Sequence, residues 1–301
     1  MKKTLLSVIA LLLALAFCAV AFASCGETTK APSGDDDTDT DTDTDTDTDT
    51  DTDIADNGEI VLSGTTVECK TSGATYENGV VTITKAGKYK ISGKLSDGQI
   101  KVDAGKEAQV ELVLSGVEIT CSNSACIYCD SADKLFITVA EGTTNTLVDG
   151  KSYVFPDGSD KPNACIYSDD DITITGAGKL SVTANYKNGI SSKNDIKISD
   201  VTLTVNSVNT AIRGKDSVTI YSGKIDIIAG NDGIKSNNDT EVGEGTILIE
   251  NGELTIVAED DALQAVSDVT INAGTVKVSV GGKDVNCDGT VNIAEGCLID
   301  Q

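Results

Sequence analysis

Three short turns recur between Asn185 and Asp284, and each leads from Asp or Asn through a small residue into an aliphatic one. They read Asn231-Asp232-Gly233-Ile234, Asp260-Asp261-Ala262-Leu263 and, more loosely, Lys187-Asn188-Gly189-Ile190. Two short segments with alternating apolar and polar residues follow each turn, as expected for strands with one buried face. A unit that repeats in this way predicts successive coils of a parallel β-helix, an all-β solenoid.

The residue before the aliphatic one marks each repeat. Successive markers are separated by 24, 22, 22, 29 and 23 residues, and the longest step contains an insertion at residues 241–245. Leucine-rich repeats have similar lengths but need a helical segment and an Asn ladder. A β-sandwich gives no reason for the same turn residues to recur at a constant offset. The markers are Cys165, Gly189, Ala211, Gly233, Ala262 and Val285.

The chain before these repeats also predicts β structure. Alternating segments rich in β-branched residues predict strands at 59–62, 80–84, 89–92, 99–102, 110–114 and 117–120. Residues 141–162 contain Pro156 and Gly158 and predict an inserted loop. We therefore expect one folded domain over residues 58–301.

The first 57 residues contain export and tethering signals. Residues 1–24 combine two lysines, an apolar run and a small-residue end, which is typical of a secretory signal. Cys25 follows directly, as in bacterial lipoprotein signals, so we expect it to be lipid-modified and to anchor the chain extracellularly at the cell surface. An ordinary cleaved signal is the alternative. Residues 25–57, with their Thr-Asp repeat, predict a disordered tether.

Composition excludes several classes of function. The sequence has no His, which excludes imidazole-dependent hydrolysis and His-ligated zinc. Beyond residue 56 it has 35 acidic and 20 basic residues, a net charge of −15. This charge argues against nucleic acid and against a membrane contact other than the lipid anchor. A divalent cation or a neutral ligand suits it better, and we expect a monomer.

The sequence also lacks Trp, on which sugar rings often stack, so only Tyr and Phe could do so. The candidates are Tyr186, Tyr221 and Tyr167, with packing as the alternative role for each. Seven cysteines remain after Cys18 and Cys25, an odd number that leaves at least one thiol without an intrachain partner. Cys126 and Cys129 are spaced like a redox or metal pair, but no second pair accompanies them.

Stacked coils would place the turn residues before each marker in two columns, ~4.8 Å apart from coil to coil. The first column is predicted to hold Asn188, Thr210, Asp232, Asp261 and Asp284, and the second Lys187, Asn209, Asn231, Asp260 and Lys283. Carboxylates so close repel each other unless a cation lies between them. Ca²⁺ prefers such oxygen ligands. We predict a Ca²⁺ site from Asp232, Asp260, Asp261, Asp284, Asn231 and Asn209. A solvated acidic edge of turn-forming residues is the alternative.

A second acidic pattern lies near the C-terminus. Residues 284–295 match the spacing of a helix-flanked calcium loop. Their flanks at 276–280 and 291–293 predict strands, however. We therefore interpret the segment as another solenoid turn, with an independent loop site as the alternative. Both interpretations make Asp284 and Asp288 candidate ligands.

The ordered succession of motifs over residues 59–291 resembles a clostridial-type surface family of cellulose- and pectin-binding proteins. The motifs lie at residues 83–100, 186–190, 215–220 and 231–236. The resemblance implies a right-handed parallel β-helix similar to polysaccharide lyases, calcium at the turns, binding of plant cell-wall polysaccharide, and no secure catalytic activity. Thr210 and Ala211 depart from the Asp-Gly type of turn, which puts a calcium ligand on that coil in doubt.

These sequence features and the resemblance support three hypotheses for the function. The leading hypothesis is a lipid-anchored protein that binds cellulose, polygalacturonate or both. The second is a calcium-dependent lyase, in which a base removes the proton α to a uronate carboxylate. Without His that base would be Lys235 or Arg213, whose alternative role is to pair with the nearby carboxylates. The third is a structural surface adhesin.

Overall fold

The computed structural model describes residues 54–155 and 158–301. The predicted signal (1–24), Cys25 and the predicted tether up to residue 53 lie outside these ranges. The last two tether residues, 56 and 57, already belong to the first strand. No helix in the described ranges is long and apolar enough to span a membrane.

Every regular element in the described ranges is a β-strand, in agreement with the predicted all-β class. The strands are β1 Asp56–Gly64, β2 Thr66–Lys70, β3 Ala74–Glu77, β4 Val80–Ile83, β5 Gly87–Leu95, β6 Gln99–Asp103, β7 Gln109–Cys121, β8 Ile127–Ser131, β9 Lys134–Val139, β10 Thr144–Asp149, β11 Ala164–Ser168, β12 Asp171–Thr175, β13 Lys179–Ala184, β14 Asn188–Ser192, β15 Asp195–Ile198, β16 Thr202–Ser207, β17 Ile212–Gly214, β18 Ser217–Ile220, β19 Lys224–Ala229, β20 Ile234–Ser236, β21 Thr246–Ile249, β22 Glu253–Ala258, β23 Leu263–Ala265, β24 Val269–Ile271, β25 Thr275–Val280, β26 Val285–Cys287, β27 Val291–Ile293 and β28 Leu298–Asp300.

Each repeat contributes three strands, and each strand pairs in parallel with its equivalent one repeat away. In the repeat β14–β15–β16, β14 pairs with β17, β15 with β18 and β16 with β19. The first strand of each repeat lies in a ten-stranded sheet, and the other two lie in an eighteen-stranded sheet. A solenoid of stacked parallel strands is therefore confirmed, while the right-handed winding stays a prediction.

The N-terminal end differs from the repeats because its edge is covered. Strands β1 and β2 pair antiparallel, as do β3 and β4. Pairing of this kind shields the outermost parallel strands from association with another chain. Strand β7 replaces the two strands predicted at 110–114 and 117–120: its first part pairs with β9 and its second with β10.

The predicted loop at 141–162 is partly wrong because it contains β10, which pairs with β7 and β13. The alternation is hidden in the sequence because a polar residue, Asn145, takes an inward position and is fully buried. Its Oδ1 accepts hydrogen bonds from Gly116 N (3.0 Å) and Val117 N (2.8 Å). A buried amide that satisfies neighbouring backbone groups can therefore replace an apolar residue in a core.

The pairing also corrects the predicted register at the last repeat. Leu263 pairs with Val285, so Asp284 is equivalent to Ala262 and Lys283 to Asp261. The marker of this repeat is Asp284 rather than Val285, and the step is 22 residues. The inward aliphatic residue decides the register, because a shift by one residue would turn every side chain to the other face.

Stacked aliphatic side chains fill the interior. One column on the ten-stranded sheet, which is fully buried through Leu263, consists of Ile127, Ile166, Ile190, Ile212, Ile234 and Leu263. The marker before each of these residues is small because the neighbouring coil lies close. A Cβ on Gly233 would lie 2.4 Å from Ile256 Cγ2 and 2.7 Å from the Ala262 carbonyl oxygen.

Truncation of a stacked isoleucine should destabilise the domain far more than truncation of an outward one. Ile212→Ala, at a fully buried position, should lower the free energy of unfolding by about 2–5 kcal/mol through lost burial and a cavity. The control is Ile228→Ala, because Ile228 is a strand residue that is 59% exposed and should cost about 0.5 kcal/mol or less. Chemical denaturation measures both, and equal losses would contradict the assigned faces.

Candidate functional site

Three carboxylates converge at the turns before β20 and β23. Asp232, Asp260 and Asp261 each place one carboxylate oxygen within 4.8 Å of the others, and we call them the acid cluster. Asp232 is 1% exposed and Asp261 5% exposed, whereas Asp260 is open to solvent. Two buried carboxylates and an exposed one thus share one small region.

Backbone pairing between adjacent coils brings the cluster together. Gly233 N donates to the Asp261 carbonyl oxygen at 2.8 Å, and Asp260 N donates to the Asn231 carbonyl oxygen at 3.1 Å. The 29-residue step does not disturb this stacking, because the insertion at 241–245 lies between β20 and β21. The two turns are therefore direct neighbours.

Hydrogen bonds fix the two buried carboxylates. Asp232 Oδ2 accepts from Asn231 Nδ2 and from Lys235 Nζ, both at 2.9 Å. Asp261 accepts from the backbone N of Lys283 at 2.8 Å and from Asn286 Nδ2 at 2.7 Å. These donors orient the carboxylates but supply one full positive charge, that of Lys235, against three negative ones.

Gly282 lies directly against the cluster, where a side chain would not fit. A Cβ at this position would lie 2.6 Å from Asp261 Oδ1 and 2.7 Å from Asp260 Oδ1. Excess negative charge and carboxylate oxygens gathered in one place suit a hard divalent cation. The residues present therefore fit Ca²⁺, and Asp232, Asp260 and Asp261 would hold it.

Of the remaining predicted metal ligands, some contact the acid cluster and others do not. Asn231 contacts the acid cluster through its hydrogen bond to Asp232. Asn209 instead donates to Asn188 Oδ1 at 3.0 Å, one coil away. Asp284 and Asp288 are not part of the acid cluster. The predicted convergence of Asp284 with the other three acids is therefore wrong, because Asp284 takes the register position of Ala262.

A polar column follows the outer face of the ten-stranded sheet. Adjacent coils place these side chains in register, each alternating with an inward aliphatic residue. They are Tyr167, Ser191, Arg213, Lys235, Gln264 and Asn286. Lys235 and Asn286 contact the acid cluster, so the column ends at it. The two residues proposed as a lyase base, Arg213 and Lys235, are therefore strand neighbours.

A groove of about 490 Å³ opens at the other end of this column, and we call it the cationic groove. The groove is lined by Asp160, Lys161 and Asn163 and by residues at the ends of β11, β14 and β17. The polar side chains that matter below are Lys161, Asp169, Ser191, Lys193 and Arg213. Lys161 also lines a second cavity of about 500 Å³. No sequence pattern indicates the groove, because residues 160–163 belong to the segment interpreted as an inserted loop.

Asp169 is the hydrogen-bonding centre of the groove. Its carboxylate forms ion pairs with Lys161 and with Lys193 (2.8 Å) and accepts a hydrogen bond from the Tyr167 hydroxyl (3.0 Å between the oxygens). Burial raises the pKa of Asp169, but these donors outweigh burial and leave the pKa below its ordinary value of 3.8. The carboxylate is therefore ionised and already neutralised by its neighbours.

The three predicted sugar-stacking tyrosines have different surroundings. Tyr167 is 2% exposed and lies edge-on to Tyr128, so it has no open ring face. Tyr186 stacks on Tyr153 with ring centroids 4.2 Å apart, which occupies one of its faces. Tyr221 is 46% exposed and follows β18. Packing thus explains the positions of Tyr167 and Tyr186.

All seven cysteines in the described ranges are free thiols. Cys126 and Cys129 both lie in the core, where burial raises their pKa. Packing in the core at β8 therefore explains the spacing of Cys126 and Cys129. A protonated, buried thiol is a poor nucleophile and a poor metal ligand.

Replacing Asp169 should make the stability of the domain less dependent on acid pH. The lowered pKa means that the ionised carboxylate stabilises the fold above pH 3.8, and this contribution disappears as the pH falls through the lower folded value. Asp169→Asn should therefore cost about 1–3 kcal/mol at neutral pH. The loss should shrink as thermal unfolding is followed toward about pH 3. Asp239→Asn, at an exposed position, is the control, and an undiminished difference at low pH would contradict the role of Asp169.

Comparison with known proteins places this geometry in a family. A family model described as "carbohydrate-binding domain-containing protein" matches residues 77–297. A protein of the same description from Acetivibrio thermocellus is 46% identical over 244 residues, which cover 80% of this chain and 85% of the relative. A solved structure of a polysaccharide lyase-like protein from C. thermocellum, a gadolinium derivative, is 49% identical with a TM-score of 0.80. The likeness covers 81% of this chain and 99% of that one.

Proposed function

This chain belongs to the family of carbohydrate-binding domain-containing proteins, and from that premise we propose that it binds plant cell-wall polysaccharide at the bacterial surface. The ligand is cellulose, polygalacturonate or both. The scaffold is a right-handed parallel β-helix, and a lipid on Cys25 anchors it through the acidic segment that follows.

The observation that carries this proposal is the polar column on the ten-stranded sheet. A polysaccharide is a polymer of similar units, and parallel coils repeat every ~4.8 Å. The partly exposed part of the column therefore offers hydrogen-bonding groups at regular intervals along one direction, from Arg213 to Asn286. A linear polymer lying along it can form many individually weak contacts, as expected for a sugar-binding surface without exposed Trp.

Ca²⁺ at the acid cluster is part of the proposal. Three carboxylates within 4.8 Å and one paired ammonium leave a local charge that a divalent cation would neutralise. The polysaccharide lyase-like relative was solved as a gadolinium derivative. Gadolinium is, like calcium, a hard cation that prefers oxygen ligands. A cation there would tie the coil of Asp232 to the coil of Asp260 and Asp261.

Millimolar Ca²⁺ should raise the melting temperature of the wild-type protein. Binding to the folded state alone stabilises it by about 2.7 kcal/mol at a free concentration one hundred times Kd. Asp261→Asn removes a buried ligand and should abolish most of this shift. Asp284→Asn is the matched control, since Asp284 is outside the cluster, and it should retain the shift. Equal shifts in both variants, or no shift in the wild type, would remove calcium from the cluster.

Binding is tested by retention of the full-length protein on insoluble cellulose and on calcium pectate, with and without a chelator. We expect retention on at least one polymer. Chelation should weaken retention if the cation holds the coils or bridges to a uronate. A protein that remains in the supernatant with both polymers, with and without Ca²⁺, would refute the proposed function.

A calcium-dependent lyase is the second candidate, and the polysaccharide lyase-like description of the solved relative favours it. In this chain Lys235 Nζ is held by Asp232 at 2.9 Å, which commits the ammonium to an ion pair. Burial lowers the pKa of Arg213, a change in the direction that a base requires. Ultraviolet absorbance of the unsaturated product during incubation with polygalacturonate and Ca²⁺ tests this activity. Absence of product under conditions where the polymer binds would exclude it.

A further inference from the structure

We infer that the cationic groove is a subsite for the carboxylate of an acidic sugar unit, with Arg213 as its principal ligand and Ser191 as a second hydrogen-bonding group. This inference rests on the proposed polysaccharide binding and adds a location and a specificity to it. It is independent of the cation at the acid cluster.

The Ser191 hydroxyl is the first indication of a missing ligand. Ser191 is 1% exposed and lines the groove, and its Oγ has no hydrogen-bond partner within the described ranges. A buried hydroxyl without a partner costs about 1–3 kcal/mol, so such groups are rare in native proteins. A polar ligand in the groove would complete its hydrogen bonding.

Arg213 is the second indication. It is the single arginine of the sequence, and within the described ranges no carboxylate lies within ion-pair distance of it. Its Nε donates to the amide oxygen of Asn237 at 3.2 Å. In a domain with a net charge of −15, a half-buried guanidinium without an acidic partner is unexpected. Its planar fork matches the two oxygens of a carboxylate.

The charge of the groove favours an anion. Four cationic side chains line it, namely Lys161, Lys193, Arg213 and Lys215, against the two carboxylates of Asp160 and Asp169, so its formal charge is +2. Asp169 is already held by Lys161 and Lys193, and Lys215 lies 3.5 Å from Asp216. Arg213 is thus the cation that remains for a ligand.

The groove is separated from the acid cluster along the sheet. Lys235 follows Arg213 in register, and its Nζ is bound to Asp232. A uronate held by a bridging cation would depend on that cation, whereas one held by Arg213 would not. Binding of an acidic oligosaccharide should therefore have a component that survives chelation and weakens as salt screens the charges.

Calorimetric titration of saturated oligogalacturonides in the presence of a chelator tests the subsite, with cello-oligosaccharides of equal length as neutral probes. Arg213→Gln should weaken the oligogalacturonide about 10- to 100-fold, since it removes a charge-assisted hydrogen-bonded pair. It should weaken binding of the neutral probe far less, by about tenfold at most, because an uncharged sugar loses a hydrogen bond but no ion pair. Lys277→Gln removes the same charge from an exposed position on the other sheet and should bind as the wild type does.

Ser191→Ala provides a second test that does not depend on a charged residue. Loss of an unpartnered hydroxyl should leave the melting temperature unchanged or slightly raised. Oligogalacturonide binding should nevertheless fall about two- to tenfold, the value of one hydrogen bond. A purely structural role for Ser191 would give the opposite result, a lower melting temperature with unchanged binding.

The outcomes separate this inference from the proposed function. If the wild type binds oligogalacturonide under chelation and both groove variants bind equally well, the subsite is refuted while polysaccharide binding stands. If the wild type binds cello-oligosaccharides alone, or binds acidic oligomers only when Ca²⁺ is present, the subsite is again refuted. If insoluble cellulose and pectate also fail to retain the protein, the proposed function fails as well.

Discussion

Parallel, in-register stacking of one coil on the next is the constraint on which the rest of this structure depends. Each strand satisfies its backbone groups with the equivalent strand of the neighbouring coil, so equivalent residues lie ~4.8 Å apart. Most inward positions are then aliphatic and similar in size, as in the column from Ile127 to Leu263. The residue before them must be small, because at Gly233 the next coil comes within 2.7 Å of where a Cβ would be.

The same stacking concentrates polar residues, with opposite consequences at the two ends of the polar column. At one end it brings three carboxylates together, and the ammonium of Lys235 is the one cationic group in contact with them in the described ranges. The excess negative charge there favours binding of a cation. At the other end it places Arg213 and Ser191 beside the cationic groove, where the guanidinium has no acidic partner among the residues that the structure describes. Small differences between repeats therefore produce two sites on one face of the solenoid. The acid cluster favours a cation and the cationic groove favours an anion.

The groove owes its shape to a departure from strict repetition. The segment between β10 and β11 is longer than other connections and returns to the sheet at Ala164. Tyr153 fixes it, because its hydroxyl donates to Asp149 Oδ2 at 2.6 Å and lies 3.1 Å from the Ala164 carbonyl oxygen. Without this segment, Tyr167 and Asp169 would lie on an open sheet. The inserted segment therefore forms one wall of the cationic groove, which the parallel sheet alone would not form.

The sequence by itself determined the all-β class, the stacking of repeats, and the meeting of Asp232, Asp260 and Asp261. Period-two alternation and the spacing of turn residues are local properties that stacking preserves. The sequence failed where packing rather than pattern decides. Asn145 stands in the core because it bonds to the backbone at Gly116 and Val117, which hides β10. Asp284 leaves the acid column because Val285 must point inward. The groove joins residues 160–163 to Ser191 and Arg213, from three different coils, and only the folded insertion brings them together, because no local pattern encodes which distant surface a loop will cover.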